Sequence, residues 1–266
     1  MSKLPQEHRF LDLSDYGRGL AVALVRALEG TRVSSIQLTW AFLVAGIGSI
    51  AAIVTGHVIL AAGLLMVKNV LDAADGEMAR VRQRPSHTGR YLDSVFDYLI
   101  NLGLVWALWS VTDVSPGLAV LAFLSMEFQG TIYNYYYLNQ RRVVGGDTTS
   151  RVNEFERPHA YPYEHEWAVS LLHRLYVLFY GPFDRLMLLL EGDESIQAPL
   201  PKSFMTALSA MGLGFQLLAI ALLLMVSLAE FILPFLTALV FYGLGLIAFR
   251  KLRLAEPVMP RPRTGQ

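Results

Sequence analysis

The chain contains no cysteine, which excludes disulfide bonds, thiolate metal sites and a cysteine nucleophile. Charge is also scarce, because only 17% of the 266 residues are charged and 22 basic residues balance 22 acidic ones. A formal net charge of +0 gives no electrostatic support for nucleic-acid binding. The N-terminal sequence has no basic stretch followed by an apolar one, so no cleavable signal peptide is predicted.

Hydrophobic residues are abundant instead. They make up 54% of the chain, and the mean hydropathy is +0.42, which is typical of a protein that crosses a membrane several times. Four apolar segments of about 20 residues contain at most one acid, namely 34–55, 117–137, 204–228 and 231–249. Segments 56–80 and 90–111 reach that length only if acids are allowed inside them. The sequence therefore predicts an all-α integral membrane protein with six transmembrane helices.

Basic residues predict how these helices are oriented. The three candidate outer loops, near Gly56, at 112–116 and near Glu230, contain no lysine or arginine. Lys68 is the only basic residue well inside a predicted span. The positive-inside rule therefore places both termini, and the acid-bearing ends of helices two and three, on the cytoplasmic side.

The regions outside the spans complete the predicted organisation. Residues 1–33 form a cytoplasmic segment in which 10–29 is an amphipathic interfacial helix; a soluble helix packed on the bundle is the alternative. Residues 34–251 form the membrane domain, and 252–266 form a cytoplasmic tail. Residues 141–202 form a cytoplasmic or interfacial insert. Within it, we expect 153–167 to be a solvated polar loop and 167–190 to be an interfacial helix interrupted at Gly181-Pro182.

Four aspartates stand inside the second and third predicted helices. Asp72 and Asp75 are three residues apart, and Asp93 and Asp97 are four apart, so each pair shares a helix face. The short connection at 81–88 predicts antiparallel neighbours, which brings the four carboxylates to similar depth. Carboxylates are costly at membrane depth and cannot all stay ionised at close range without cations. All-oxygen ligation favours two Mg²⁺ or Mn²⁺ ions, which suits phosphoryl chemistry.

Other residues near the aspartates extend this prediction. Gly76 and Ala79 keep one side of helix two open to a ligand. Four arginines are expected to ring the mouth and contact phosphate oxygens: Arg80, Arg82, Arg84 and Arg90. For Arg82 and Arg84, an ordinary positive-inside role is an equal alternative. Lys68 lies four residues before Asp72 and is expected to be its ion-pair partner.

The complete pattern reads Asp72-x2-Asp75-Gly76-x2-Ala79-Arg80-x8-Gly89-x3-Asp93-x3-Asp97. In all eight positions it resembles the signature of the CDP-alcohol phosphotransferase (phosphatidyltransferase) family. The resemblance implies a phospholipid-synthesis enzyme. A hydroxyl of an acceptor alcohol attacks the β-phosphorus of a CDP-linked donor, and CMP leaves. The resemblance covers most of the chain but not the insert at 141–202.

The resemblance also implies roles for individual residues. Asp72, Asp75 and Asp93 would be metal ligands, and Asp97 would serve the second metal and act as general base. Gly76, Ala79, Arg80 and Gly89 would shape the CDP site. The implied partners are a CDP-alcohol donor, an acceptor alcohol and membrane lipid. Family members are often homodimers, which extends to this chain only by analogy.

Identity of the two substrates stays open at this stage. The lipid arrives either as CDP-diacylglycerol, slightly favoured, or as the acceptor of a CDP-choline or CDP-ethanolamine donor. A phosphorylated acceptor would need a cationic pocket, for which the candidates are Arg151, Arg157, Arg174 and Arg185. Solvated or lipid-facing arginines are the alternative for each.

Three further features have alternatives. His159 and His165, with nearby glutamates, suggest a second metal site, but a solvated loop is the default. Glu127 either lines the acceptor or lipid cavity or hydrogen-bonds to a neighbouring helix. The tyrosines at 133 and 135–137 are expected to form an interfacial aromatic belt.

Two functions compete with the enzyme. A divalent-cation transporter would use the acids as an ion path, and it predicts acids spread through several helices towards the outer face. A non-catalytic relative would be expected to have lost part of the signature, whereas all eight positions are present.

Overall fold

The computed structural model describes residues 4–146, 155–192 and 196–254, and in these residues it contains helices and no strand. The all-α prediction is therefore confirmed for the described part of the chain. Its α-helices are α1 Arg18–Leu28, α2 Ser35–Val54, α3 Val58–Val81, α4 His87–Ser110, α5 Pro116–Val143, α6 Glu166–Glu191, α7 Lys202–Leu208, α8 Leu213–Met225 and α9 Ile232–Phe249.

Several helices are long and apolar enough to cross a membrane. Three qualify by length and composition within the described residues: α2, α4 and the stretch Ala229–Leu254 that contains α9. Lys202–Met211 and Leu213–Met225 qualify together as a fourth, but they meet at a bend of 55°. The predicted continuous span at 204–228 is therefore wrong, because a 3₁₀ turn at Ser209–Met211 and Gly212 interrupt it. Six passes stay a prediction.

Helix caps fix where α2 and α4 begin. At α2, Ser34 and Gln37 form a reciprocal capping box, with each side chain bound to the other residue's backbone N–H. At α4, the Ser86 Oγ accepts a hydrogen bond of 2.8 Å from the Gly89 N–H. The connection between α3 and α4 is short, and Gln83 adopts a φ of 49° in it. The aspartate-bearing ends of α3 and α4 are therefore adjacent, as predicted.

The N-terminal region differs from its prediction. Helix α1 begins at Arg18, so the first half of the predicted helix at 10–29 is irregular. This irregular part crosses the start of α8: the Leu13 N–H donates to Ser209 Oγ and the Gly214 N–H donates to Ser14 Oγ. A Cβ at Gly214 would lie 1.9 Å from the Ser14 carbonyl oxygen, so only glycine permits this crossing. Long-range hydrogen bonds therefore replace helix formation here.

Helix α1 packs on the half of α3 that carries the aspartates and is predicted to lie towards the cytoplasm. Its buried residues Ala21 and Val25 contact a small cluster that includes Ala74 and Met78 of α3. Leu20 on the opposite face is exposed. The amphipathic interfacial helix in this region therefore stays a prediction.

Within the described residues of the insert, α6 is a long uninterrupted helix. The predicted break at Gly181-Pro182 is wrong, because α6 continues through Pro182 to Glu191. A proline inside a helix costs about 3 kcal/mol, and packing on both sides of it offsets this cost. Phe179 stacks on Tyr98 of α4 with ring centroids 4.3 Å apart, and Met187 lies in a buried cluster with Tyr136. Tertiary contacts thus override the local signal of the proline.

Candidate active site

Three of the four predicted aspartates form a compact group. One carboxylate oxygen each from Asp72, Asp75 and Asp93 lies within 4.8 Å of the others. The Thr39 hydroxyl donates to Asp75 Oδ2 at 2.6 Å, which orients that carboxylate. The Asp93 Oδ1 is buried and has no hydrogen-bond partner among the described residues. Three oxygen donors with an unsatisfied buried oxygen fit a hard divalent cation, so the donor set suits Mg²⁺ or Mn²⁺.

Asp97 lies beside this group and is held by a lysine. The Lys68 ammonium is fully buried and contacts Asp72 Oδ2 at 2.7 Å and Asp97 Oδ1. It also lies 4.8 Å from the centre of the Phe42 ring. The predicted Lys68–Asp72 pair is confirmed. The link to Asp97 on α4 was not predicted, because spacing along one helix does not reveal partners on another.

Two cavities meet at the aspartates. The first has a volume of about 420 Å³ and the second about 460 Å³. Both are lined by the same six residues, namely Asp75, Gly76, Arg80, Arg90, Asp93 and Arg141. The acid group therefore stands at the junction, where a ligand in one cavity can meet a ligand in the other.

The predicted CDP residues all line the second cavity. Gly76, Ala79 and Arg80 reach it from α3, and Gly89 reaches it from the first turn of α4. Arg80 is held by the buried Glu77, whose Oε2 accepts from Arg80 Nη2 at 2.8 Å. Six of the eight signature residues thus line the second cavity, with Asp75 and Asp93 at its inner end, while Asp72 and Asp97 line the first.

Two of the four predicted mouth arginines point elsewhere. Arg80 and Arg90 line both cavities. Arg82 instead donates to the Thr31 carbonyl oxygen at 2.9 Å, beyond the end of α1, and Arg84 lies 4.5 Å from the centre of the Tyr163 ring. The turn after α3 directs these two side chains away from the cavities, so their contact with a bound phosphate is not supported.

The first cavity is lined by residues that the sequence did not indicate. The irregular N-terminal segment and α6 contribute many of them: Asp12, Ser14, Asp15, Arg18, Tyr176, Tyr180 and Asp184. Asp12 accepts a hydrogen bond from the Tyr133 hydroxyl. Burial raises the pKa of the Asp12 carboxyl above its ordinary value, although the Tyr133 hydrogen bond opposes this. In the sequence, the only indication that the N-terminal segment has a functional role was its charged residues at an apolar surface.

Glu127 fulfils both of its predicted alternatives. It accepts a hydrogen bond of 2.8 Å from Asn101 Nδ2 on α4, and both residues line the first cavity. The tyrosine belt is wrong for Tyr135 and Tyr136, which are buried. The Tyr136 hydroxyl donates to the buried Glu191 of α6. Tyr136 faces a neighbouring helix because Glu191 on α6 satisfies its hydroxyl.

The cationic pocket predicted from the insert does not form. Within the described residues, Arg157 lies 3.9 Å from Glu166, Arg185 lies over the Phe155 ring, and Arg174 is exposed. None of these three lines either cavity. Arg151 lies outside the described residues. Arg157, Arg174 and Arg185 therefore follow the alternative of solvated or surface-facing side chains.

The polar loop before α6 is docked rather than solvated. Glu164 Oε1 accepts hydrogen bonds of 2.7 Å from both the Ser86 Oγ and the Thr88 N–H, and its Oε2 accepts from the Tyr161 N–H. Burial raises the pKa of Glu164, but these hydrogen bonds outweigh it and the pKa is lowered. Glu164 is therefore an anchor, which removes it from the suggested second metal site with His159 and His165.

Comparison with known proteins gives one match. Residues 33–156 match the family model described as CDP-alcohol phosphatidyltransferase. No curated protein matches the chain. The matched residues include the whole signature from Asp72 to Asp97, which confirms the resemblance. The expected extent is wrong, because the match spans less than half of the chain instead of most of it and extends into the insert as far as position 156. The family is generally metal-dependent, in agreement with the aspartate group.

Proposed function

Because residues 33–156 match the CDP-alcohol phosphatidyltransferase family model, we propose that this chain transfers a phosphatidyl group from CDP-diacylglycerol to a small hydrophilic alcohol. The products of this reaction would be a phosphodiester and CMP, and the reaction would therefore belong to phospholipid synthesis. The observation that carries the proposal is the aspartate group at the junction of two cavities, one lined by all of the CDP signature residues.

The metal site follows from the donor set. Asp72, Asp75 and Asp93 would hold one divalent ion, and Asp97 would contribute to a second beside it. Held by these residues, Mg²⁺ or Mn²⁺ would supply positive charge for the oxygens of a phosphoryl displacement. The unsatisfied Asp93 Oδ1 supports this assignment.

Residues of the chain would accept the proton of the acceptor hydroxyl and orient the group that accepts it. The acceptor oxygen bonds to the β-phosphorus while the phosphoanhydride bond to CMP breaks, and CMP leaves with the electron pair. Asp97 accepts the hydroxyl proton. Lys68 fixes the Asp97 carboxylate from the side. A carboxylate next to cations is a weak base, so its role depends on proximity as much as on basicity.

The composition of the first cavity supports a hydrophilic acceptor. Eight carboxylates line it, namely Asp12, Asp15, Asp72, Asp75, Asp93, Asp97, Glu127 and Asp184, against four arginines, Arg18, Arg80, Arg90 and Arg141. Two divalent ions would neutralise the four aspartates of the signature, which leaves four acids beside four arginines, so the charge balance does not select between a free and a phosphorylated alcohol. The polar lining disfavours diacylglycerol as the acceptor. The lipid is therefore assigned to the donor.

The proposed location is a membrane crossed six times, with the aspartates and both termini on the cytoplasmic side. Helix α6 supports this arrangement, because it lies across one end of the bundle. Near its start, His173 packs on Tyr91 in the first turns of α4. At its end, Glu191 pairs with Arg250, which follows α9. Assembly into a homodimer remains an analogy with the family.

The transporter alternative has one observation in its favour. Glu127 is a buried acid on α5 that lies deeper in the helix bundle than the four aspartates. Among the described residues, however, α4 and α5 continue from there into an apolar core that includes Leu104, Leu108 and Phe123. An ion path would need polar groups through that layer, so we favour the enzyme.

A CMP-release screen tests the proposal. Purified chain with Mn²⁺ is offered CDP-diacylglycerol, CDP-choline or CDP-ethanolamine, each with a panel of alcohols. We expect CMP from CDP-diacylglycerol with a hydrophilic acceptor, and loss of that CMP in EDTA. Release from every donor in EDTA, or from none in Mn²⁺, would contradict the proposed reaction.

A further inference from the structure

The second cavity has two chemically different parts. Its inner end, shared with the first cavity, holds two acids and three arginines. The rest of its lining contains no acid, lysine or arginine: Ser35, Thr39, Ala79, Gln83, Pro85, Ser86, His87, Gly89 and Tyr161. A CDP donor has the same polarity, with a charged diphosphate at one end and an uncharged nucleoside at the other. With the diphosphate at the aspartates, the nucleoside falls in this uncharged part.

Two aromatic rings stand together in the uncharged part. The rings of His87 and Tyr161 are stacked, with centroids 4.7 Å apart and planes 10° apart. They are the only rings among the residues that line the second cavity. An aromatic ring can contact a nucleobase through its face or its edge, and because Tyr161 already stacks on both His87 and Tyr163, its edge is the part offered to the base.

Tyr161 is held in place by segment 157–165. Glu164 binds the Ser86 hydroxyl and the Thr88 N–H at the start of α4, and it also accepts from the Tyr161 N–H itself. Tyr163 stacks on Tyr161 at 5.6 Å, and its hydroxyl donates to the Pro85 carbonyl oxygen. These contacts fix the segment to the turn between α3 and α4, which borders the cavity.

We propose that Tyr161, stacked on His87, is a nucleobase-contacting residue that segment 157–165 adds to the second cavity. Tyr161 lies beyond the region 33–156 that matches the family, so the family signature does not include it. The inference rests on the proposed function, because it takes a CDP-alcohol as the donor. It adds a specificity determinant from outside the signature.

Nucleotide binding to the full chain tests this contact without turnover. Titration calorimetry in Mn²⁺ compares CDP with inorganic pyrophosphate, which has the phosphates but no base. We expect Tyr161→Ala to raise the Kd of CDP by about fivefold or more and to leave that of pyrophosphate unchanged. Tyr161→Phe keeps the ring and should bind CDP like the wild-type chain.

Two further variants separate the contact from a general structural effect. Glu164→Ala releases the anchor and should reproduce the selective loss of CDP affinity. Trp167→Ala removes an exposed aromatic ring close in sequence and should change neither ligand. Unchanged CDP binding in Tyr161→Ala, or parallel loss of CDP and pyrophosphate, would overturn the inference. If the wild-type chain binds pyrophosphate but not CDP, the proposed function fails and the inference fails with it.

Discussion

Replacement of Asp97 by asparagine should abolish turnover while largely sparing nucleotide binding. The amide cannot take the proton of the acceptor hydroxyl, and general-base assistance contributes about 10²–10⁴-fold to a rate. Lys68 keeps its contact with Asp72 in this variant, so the local fold should persist. The measurement is the kcat for CMP release together with the Kd of CDP, both at saturating Mn²⁺.

Asp113→Asn is the matched control for this prediction. Asp113 is an exposed aspartate in the connection between α4 and α5, and it lines neither cavity. The same change of charge there should leave kcat unaltered. Full activity in Asp97→Asn would refute the assignment of the base, whatever the metal dependence of the reaction.

Replacement of Lys68 by methionine should destabilise the metal-free chain strongly. The ammonium is fully buried and contacts both Asp72 and Asp97. Its removal leaves two carboxylates without their cation, and breaking a buried pair in this way costs about 3–5 kcal/mol. For a chain of this size that corresponds to a fall in the unfolding temperature of roughly 10 °C. Thermal unfolding in detergent with EDTA measures it.

Metal should recover much of that loss. A divalent ion bound by the aspartates supplies the positive charge that Lys68 provided, so Mn²⁺ should raise the unfolding temperature more in Lys68→Met than in the wild-type chain. Lys202→Met, at an exposed position at the start of α7, should behave like the wild-type chain. An equal Mn²⁺ shift in wild-type and Lys68→Met chains would show that Lys68 and the metal do not act on the same carboxylates.

The meeting of the aspartates was predictable from sequence. Helical spacing puts Asp72 and Asp75 on one face, and a short turn forces α4 back beside α3. Both are local rules with few alternatives, which is why the predicted approach of Asp93 is confirmed. The Lys68–Asp72 pair follows from the same spacing rule.

The walls of the cavities were not predictable in this way. Ser14 binds Gly214, and Tyr180 of α6 binds the Ser94 carbonyl oxygen of α4, across 200 and 86 positions of the chain. Hydropathy and spacing describe only neighbours along the sequence, so they cannot identify such partners. The same limit explains the N-terminal segment, where the Leu13 N–H donates to Ser209 Oγ and the Ser14 Oγ accepts from the Gly214 N–H of α8.

Composition rules also failed where tertiary contacts satisfy polar groups. The tyrosines near the end of α5 were expected at a membrane interface, but Tyr136 finds Glu191 as an internal partner. Pro182 was expected to end α6, but the stacking of Phe179 on Tyr98 holds the helix across it. In each case the deciding contact comes from another helix, and a pattern along a single segment does not contain it.

Manganese binding by electron paramagnetic resonance tests the central claim most directly. With CDP present, the wild-type chain should bind two Mn²⁺ ions, and Asp72→Asn and Asp93→Asn should each weaken that binding by about tenfold or more. Both residues belong to the group whose oxygens lie within 4.8 Å of one another. Mn²⁺ binding that is unchanged in both variants would contradict the account, because the aspartates would then have no role in holding the metal.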